Sequence, residues 1–400
     1  MLRCELKKLF SKRINQVVLS VALLLAIVFS LFAIQSMRYC DKEGVLHTGI
    51  TASRSLAADR NRWKGKLTAD KIAEVVQGRK ELAQKYPGGI PDTEYGKMLQ
   101  SYDDIIGFVV NILTPDSDYN ESVLDQLTDE QTDNIYAEYE KNMQKMVGDY
   151  GKTLEQKKFL EKQYKKVNIP LTYEAKDSWD TMTLYAETYG IVLAVIIGFL
   201  VAGIFAEEFQ TGAEAVFFST KYGRSKATKN KIAAGIIITT VVYWVGIGIL
   251  SLISFGIMGV SGFHTPYQIF QPYSIYAMTY GQYYLLILLC GYIACLFAAV
   301  VTMLVAAKMH TASVAICIPF FMYCMMPFIG RMFSSFATFF DLMPNVLMNI
   351  IASAKVPTIF QIGNIVFRQI PFVMLIYIVI SVILLPFVYR SYSRYGLLKK

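Results

Sequence analysis

The chain contains 400 residues, of which 54% are hydrophobic and 14% aromatic, and its formal net charge is +8. This hydrophobic fraction lies above the usual range for soluble domains and predicts an integral membrane protein. The charge is uneven, because residues 38–187 hold 26 acidic and 21 basic residues whereas the remainder holds 18 basic and 5 acidic ones. Basic residues beside apolar runs indicate membrane topology, so the net charge does not point to a nucleic-acid partner.

Residues 1–37 are predicted to form an amphipathic elbow helix followed by the first membrane span. Leu2, Leu6, Leu9 and Phe10 recur at helical spacing among five basic residues, which is typical of a helix at the membrane surface. Residues 17–34 then supply about 18 apolar positions, the lower limit for a span. A cleaved signal peptide is the alternative, but the run lacks a small-x-small cleavage site, which favours an uncleaved span.

Residues 38–184 are predicted to form a mainly helical domain outside the cytoplasm. Apolar residues within 72–86 share one helix face, and those within 135–150 share another, after a Thr128-x-x-Gln131 capping box. The mixed charge of this region is most simply a solvated surface, with a specific ligand site as the alternative. The domain is therefore predicted to be a small bundle or an arm of long helices.

Residues 185–400 are predicted to form five further spans. The apolar runs that define them are residues 191–205, 232–260, 283–307, 311–329 and 372–389. Pro319 and Pro327 are predicted to kink the fifth span. Asp341, Pro344 and Lys355 interrupt residues 333–369, which are predicted to form a re-entrant segment at the outer face. Both termini are then cytoplasmic, and the protein is predicted to be an all-α polytopic protein of the plasma membrane with six spans.

A charged island, residues 205–231, separates the second and third spans. Thr211 and Glu214 match the S/T-x-x-E capping box, so residues 211–222 are predicted to form a short amphipathic helix. Five basic residues follow within eleven positions, namely Lys221, Arg224, Lys226, Lys229 and Lys231. This density predicts that the charged island lies on the cytoplasmic face.

The sequence offers little for catalysis. Gly151-Lys152-Thr153 ends like a phosphate-binding P-loop, but Met146 stands where that loop needs a glycine. No ionisable residue is predicted in the middle of a span, and the three histidines are far apart in sequence. We therefore predict no catalytic, metal-binding or cofactor-binding residue, and a chain that is not an enzyme.

At the charged island the sequence resembles the permease subunits of type 2 ABC exporters. In that family a span ends in a glutamate, and a glycine, an amphipathic helix, a serine turn, an arginine and a lysine follow. The matching residues here are Glu208, Thr211, Gly212, Ser219, Arg224 and Lys231. The elbow helix, six spans and broken outer segment extend the resemblance over nearly the whole chain. The order Thr211-Gly212 is reversed, and the outer domain of roughly 150 residues is larger than usual, although several bacterial subfamilies carry such an insertion.

The resemblance implies a chain that binds no cofactor and uses ATP through a separate ABC ATPase subunit, present in two copies. It also implies a second permease, identical or related, and contact with membrane lipid. The charged island would be the coupling helix, with the ATPase-coupling residues Glu208, Thr211, Gly212, Glu214, Phe217, Phe218, Arg224 and Lys231. The cargo would be a peptide, a drug or a lipid-like molecule. Alternatively, Phe217 and Phe218 form only the apolar face of a surface helix. Arg224 and the lysines could pair with Glu208 and Glu214 within the chain, pair with the ATPase, or only anchor the topology.

A second hypothesis comes from a different class of protein. The spans could simply anchor a sensor or assembly protein, whose outer domain binds a peptide, a cell-wall component or a partner protein. A neighbouring ABC ATPase gene would favour the exporter, whereas a neighbouring kinase or wall-synthesis gene would favour the sensor. A membrane enzyme is the weakest of the three hypotheses, because the predicted spans lack charged residues and histidines.

Overall fold

A computed structural model describes residues 1–115, 119–332 and 336–396. The first three positions of the predicted segment 333–369 and the last four of the predicted region 185–400 therefore lie outside the described residues. The chain is predominantly helical, and its short strands pair only as antiparallel two-stranded ladders within the described ranges.

Two helices separated by a single extended residue begin the chain. Helix α1 spans Leu2–Ser11 and α2 spans Arg13–Ser36, with Lys12 extended between them. Asn15 and Gln16 on α2 each donate a side-chain hydrogen bond of 2.9 Å, to the carbonyl oxygens of Leu9 and Phe10. These bonds satisfy carbonyls that the end of α1 leaves unpaired, and thereby fix the angle between the two helices.

Residues 38–176, called the insertion domain below, separate α2 from the next long helix. Its elements are β1 Arg38–Cys40, β2 Leu46–Thr48, α3 Ile50–Arg60, β3 Gly65–Lys66, α4 Ala69–Lys85, α5 Asp92–Lys97, α6 Asp103–Leu113, α7 Asp129–Asp133, α8 Ile135–Tyr150, α9 Leu154–Tyr164 and β4 Thr172–Tyr173. The predicted apolar faces of α4 and α8 are buried in its core together with α6. The Thr128–Gln131 capping box forms, and it begins α7.

The remaining residues form a helical bundle. Its elements are α10 Asp177–Gln210, α11 Glu214–Ser219, α12 Thr228–Met258, α13 Tyr280–Met309, α14 Ala312–Phe320, α15 Met326–Met332, α16 Ala337–Phe340, α17 Ile350–Ser353, β5 Ile359–Ile362, β6 Ile365–Arg368 and α18 Gln369–Ser393. In the described part of the chain, six helical stretches are long and apolar enough to cross a membrane. They are α2, α10, α12 with the turn before it, α13, α14 with its continuation, and α18, which are the six runs that the sequence predicts.

Helices α10 and α13 form the centre of the bundle. In each of these two helices, 67% of the most apolar 18-residue stretch is buried. The corresponding share is 17% in α18 and in the candidate span that α14 begins. Tyrosine hydroxyls join the helices, because a hydroxyl buried in an apolar bundle needs a partner. Tyr189 on α10 donates to Ala22, and Tyr243 on α12 donates to Leu288, each over 2.7 Å. The bundle end beside α11 is called the island end below, and the opposite end is called the domain end.

The fifth candidate span is irregular between its two prolines, where the sequence predicts a kink. A π-helical turn at Phe321–Met325 separates α14, which contains Pro319, from α15, which contains Pro327. A proline inside a helix removes one backbone hydrogen bond and crowds the preceding turn, so the helix departs from α geometry there.

The segment before the last span contains strands as well as short helices. Its described part, residues 336–368, passes through α16, a 3-10 turn at Pro344–Met348 and α17, and ends in a hairpin of β5 and β6. The sequence predicts only short helices here. Gly363 adopts a positive φ of 59° at the hairpin turn, a conformation that favours glycine. Gln361 on β5 accepts a hydrogen bond of 2.8 Å from Thr153, so the hairpin touches the insertion domain.

A buried ion-pair cluster fastens the insertion domain to α10. The guanidinium of Arg60 on α3 lies 2.6 Å from Asp104 on α6 and 2.6 Å from Asp177, the first residue of α10. Lys176 lies 3.4 Å from Asp104 and 2.5 Å from Asp180. Burial opposes the charge on Arg60, but the carboxylates outweigh it and raise the pKa of the guanidinium. The insertion domain therefore meets the bundle at this ion-pair cluster, which is called the domain joint below.

Candidate functional site

The island end of the bundle contains a buried ion-pair cluster centred on Glu208. This residue lies near the end of α10 and is only 4% exposed. Its carboxylate lies 2.9 Å from Lys231 on α12 and 3.1 Å from Lys8 on α1, and it accepts a hydrogen bond of 2.7 Å from Tyr392 on α18. Glu208 therefore joins four helices that are widely separated in sequence.

A more exposed set of ion pairs surrounds this centre. Glu207 lies 3.0 Å from Lys8 and 2.9 Å from Lys12. Burial disfavours the charge on Lys8, but Glu208 and Glu207 outweigh it and raise the pKa of this lysine. Lys231, which is fully buried, also donates to the carbonyl oxygen of Ile204 over 2.8 Å. As a result α1 is held against α10 and α12 by ion pairs, of which those that reach the buried Glu208 and Lys231 are the costliest to break.

Aromatic rings cover the cluster on the side of α11. Phe218, the buried residue of α11, packs on Phe209, Tyr392 and Tyr395, with ring centroids 5.2 to 6.1 Å apart. His310 caps α13 at a positive φ of 59°, and its ring centroid lies 4.2 Å from that of Phe209. We call the ion-pair cluster and these rings the island junction. It brings α1, α10, α11, α12, the α13–α14 turn and the end of α18 into one contact network.

Arg224 stabilises the turn that follows α11. Its Nε donates to the carbonyl oxygen of Phe218 over 3.1 Å, and its Nη1 donates to those of Ser393 and Tyr395 over 2.9 and 2.7 Å. The guanidinium thus satisfies carbonyls at the end of α18 that no helical amide can reach. Arg224 and Lys231 both have partners within the chain, whereas the sequence left open whether they pair internally or with a partner protein.

The predicted capping box at Thr211 and Glu214 is wrong. The helix begins at Glu214 with Ala213 as its N-cap and no side-chain capping bond, so it is shorter than residues 211–222. Thr211 instead ends α10, because its hydroxyl donates to the carbonyl oxygen of Glu207 over 2.9 Å. Gly212 has a positive φ of 67°, and the next amide bonds back to the carbonyl oxygen of Glu208 over 2.8 Å. This is a glycine-dependent helix stop, and it competes with the capping box for the same residues.

Helix α11 has one inward and one outward side. Phe218 is buried, and Phe217 is partly covered by the rings of Phe218 and Tyr392. Val216 is 70% exposed and lies on the opposite side from Phe218. Of the residues predicted to contact a partner, Phe218 therefore belongs to the island junction, and Val216, which the prediction omitted, is available to solvent.

Gly223 permits the close turn between α11 and α12. A Cβ atom at this position would lie 1.9 Å from the carbonyl oxygen of Phe217. Because backbone atoms must shift to accommodate it, Gly223→Ala is expected to destabilise the protein by about 1–3 kcal/mol. The thermal unfolding midpoint in detergent measures this effect. Gly203→Ala is the control, since its Cβ would meet nothing within 4 Å, and equal midpoints for the two variants would contradict the prediction.

Comparison with family models, with curated proteins and with solved structures finds no match for this chain.

Proposed function

We propose that this chain is the transmembrane subunit of an ATP-driven exporter and that α11 is the docking point of a separate ATPase subunit. One observation supports this most directly. The exposed side of α11 presents Val216 to solvent, while its buried side inserts Phe218 into the island junction. A force applied to α11 from outside the chain therefore reaches α1, α10, α12 and α18 through direct contacts.

The orientation follows from the charges at the two ends of the bundle. Lys221, Arg224, Lys226 and Lys229 lie beside α11 at the island end, which the positive-inside rule assigns to the cytoplasm. The insertion domain and the β5–β6 hairpin, both at the domain end, would then face away from the cytoplasm. In this orientation the chain is a multi-pass protein of the plasma membrane with α1 as an interfacial elbow helix.

The proposed mechanism is a two-state movement driven by ATP. Two ATPase subunits that close on ATP push α11, and the bundle shifts as rigid bodies between inward-open and outward-open states. ATP is bound by the partner, since this chain carries no intact P-loop. The largely uncovered faces of α14 and α18 are suited to lipid or to a second permease, identical or related. Cargo such as a peptide, a drug or a lipid-like molecule would cross between the two permeases.

Val216→Asp tests this proposal. The wild-type protein, purified from its native membranes in mild detergent, is expected to carry an ATPase subunit and measurable ATP turnover. A carboxylate on the exposed side of α11 should weaken an apolar contact there, so co-purified ATP turnover is expected to fall about tenfold or more. Phe217→Asp and Phe218→Asp are less suitable, because they would also disturb the island junction.

Val45→Asp is the matched control for this experiment. Val45 is 54% exposed but lies in the insertion domain, at the opposite end of the protein. Both variants should reach the membrane in wild-type amounts. Equal ATP turnover in the Val216→Asp and Val45→Asp preparations would contradict docking on α11.

A second candidate function is a membrane-anchored sensor, and one observation favours it. The insertion domain contains an open cavity of about 640 Å³ lined by Arg79, Lys80, Tyr86 and Asp125 among others. Such a site could bind a peptide or a cell-wall fragment that carries both positively and negatively charged groups. The same purification separates the two functions, because a sensor requires no ATPase and the wild-type preparation would then lack ATP turnover.

A further inference from the structure

Glu187 on α10 is a carboxylate that neither the island junction nor the domain joint uses. One of its oxygens accepts two backbone N–H groups in succession, from Ile350 and, over 3.1 Å, from Ile351. These are the first residues of α17, whose own N-cap, Asn349, makes no side-chain capping bond. The first turn of α17 is therefore capped by a side chain from a different helix, 163 residues earlier in the chain.

The segment Pro344–Ser353, called the capped segment below, packs closely on α10 and its neighbours. Met348 is buried and packs over Gly190 of α10. A Cβ atom at Gly190 would lie 3.4 Å from the sulfur of Met348. Ile350 is fully buried, and Ser274 donates a hydrogen bond of 2.8 Å to the carbonyl oxygen of Ala354 at the far end of α17. Apolar packing thus surrounds the capped segment, and Glu187 supplies the polar bond that connects its helical turn to α10.

Helix α10 connects this attachment with the island junction. It runs without a break from Asp177 to Gln210, and Glu187 and Glu207 stand 20 positions apart on it. At about 1.5 Å per residue this separation is roughly 30 Å, which equals the thickness of the hydrocarbon core of a membrane. Helix α10 therefore has one carboxylate near each membrane face. Glu207 pairs with α1 at the island end, and Glu187 binds the capped segment at the domain end.

We propose that Glu187 is a positioning residue for transport, which makes the capped segment move with α10. A displacement of α10 at the island junction is then transmitted along the helix to the domain end, where it shifts the capped segment over the outer ends of the spans. That the displacement starts at the island junction rests on the proposed function, whereas the attachment of the capped segment to Glu187 does not.

The attachment is tested by the reactivity of a buried cysteine. The native cysteines are replaced, and Ala354, which is fully buried, is changed to cysteine as the sole reporter for a membrane-impermeant maleimide. Glu187→Leu leaves two N–H groups without their acceptor, one of them on the fully buried Ile350, so labelling is expected to accelerate about tenfold or more. Glu187→Gln keeps an acceptor oxygen and is expected to label at nearly the wild-type rate.

Thr188→Ala is the matched control, because Thr188 is exposed and its hydroxyl bonds only within α10, to Leu184. Should Glu187→Leu fail to reach the membrane, Glu187→Asp withdraws the carboxylate by one carbon and should also accelerate labelling. Labelling of the Leu and Asp variants at the rate of Thr188→Ala would overturn the attachment.

Transmission along α10 is tested in the complex with the co-purified ATPase. A non-hydrolysable ATP analogue is expected to change the labelling rate of Ala354→Cys several-fold in otherwise wild-type protein and to leave it unchanged when Glu187→Leu is added. An equal change in both proteins would overturn the positioning role. If Glu187→Leu accelerates labelling but no ATPase co-purifies with the wild type, the attachment is supported and the proposed function fails.

Discussion

Glu208→Leu is expected to destabilise the protein by about 3–5 kcal/mol, because it removes the acceptor shared by Lys231, Lys8 and Tyr392. Lys231 is fully buried, with its amine 2.9 Å from Glu208, 2.8 Å from the carbonyl oxygen of Ile204 and 3.4 Å from Glu5. Without Glu208, the carboxylate that remains beside the charge of Lys231 is that of Glu5, at the longer distance of 3.4 Å. The free energy of unfolding in detergent, or the unfolding midpoint, measures the loss.

Glu207→Leu is the matched control for this prediction. Glu207 precedes Glu208 on the same helix, but its partners Lys8 and Lys12 are 41% and 33% exposed. Ion pairs that water can reach contribute about 1 kcal/mol or less. The double variant with Glu208→Leu and Lys231→Met should recover part of the loss, since no buried lysine then lacks its partner. Equal destabilisation by Glu207→Leu and Glu208→Leu would contradict the central position of Glu208.

Arg60→Met is expected to cost about 3–5 kcal/mol at the other end of the bundle. The guanidinium of Arg60 is almost fully buried and lies between Asp104 and Asp177, so its removal leaves two largely buried carboxylates without the cation between them. Burial alone would raise the pKa of Asp104, but Lys176 and Arg60 outweigh burial and lower it. A carboxylate with a lowered pKa stabilises the fold above its unfolded value of about 4 and loses this effect as the pH falls further. The comparison is therefore made at pH 7.

Arg62→Met is the corresponding control for Arg60→Met. Arg62 lies two residues further on and pairs with Asp59 over 2.7 Å, but its side chain is 61% exposed. Its loss should change the unfolding midpoint only slightly. Proteolysis of the purified protein supplies a second measurement, because a loosened domain joint should make the insertion domain more accessible to protease in Arg60→Met. Similar midpoints and digestion rates for both variants would contradict the role of the joint.

The six candidate spans and the helical faces of the insertion domain could be predicted because they depend on local patterns. An apolar run of sufficient length and a face such as that of α4 are properties of neighbouring residues. The irregular fifth span was also predictable, since Pro319 and Pro327 break backbone hydrogen bonds wherever they lie. The charged island was recognised from its density of basic residues, and Gly212 from its position between two helices.

Pairing with the lysines of the charged island was one of the open alternatives, but the two distant partners of Glu208 could not be predicted. Lys8 precedes it by 200 residues and Tyr392 follows it by 184, and no local pattern indicates which distant groups will meet. Thr211 does not cap α11, because Gly212 and the bond from the Ala213 amide to the carbonyl oxygen of Glu208 end α10 at these residues, and α11 begins only after Ala213. The role of Glu187 could not be predicted from its sequence neighbours, since it depends on α17 being folded against it.

The order in which the island junction is synthesised has a consequence for its assembly. Lys8 emerges from the ribosome first, Glu208 and Lys231 follow, and Tyr392 is added only when the last span has been made. Until α18 is inserted, Glu208 lacks one of its hydrogen bonds, and the rings of α11 lack the tyrosines that cover them. The junction is therefore complete only after α18 has been made, and until then its charged and aromatic side chains lack the partners that cover them in the folded protein.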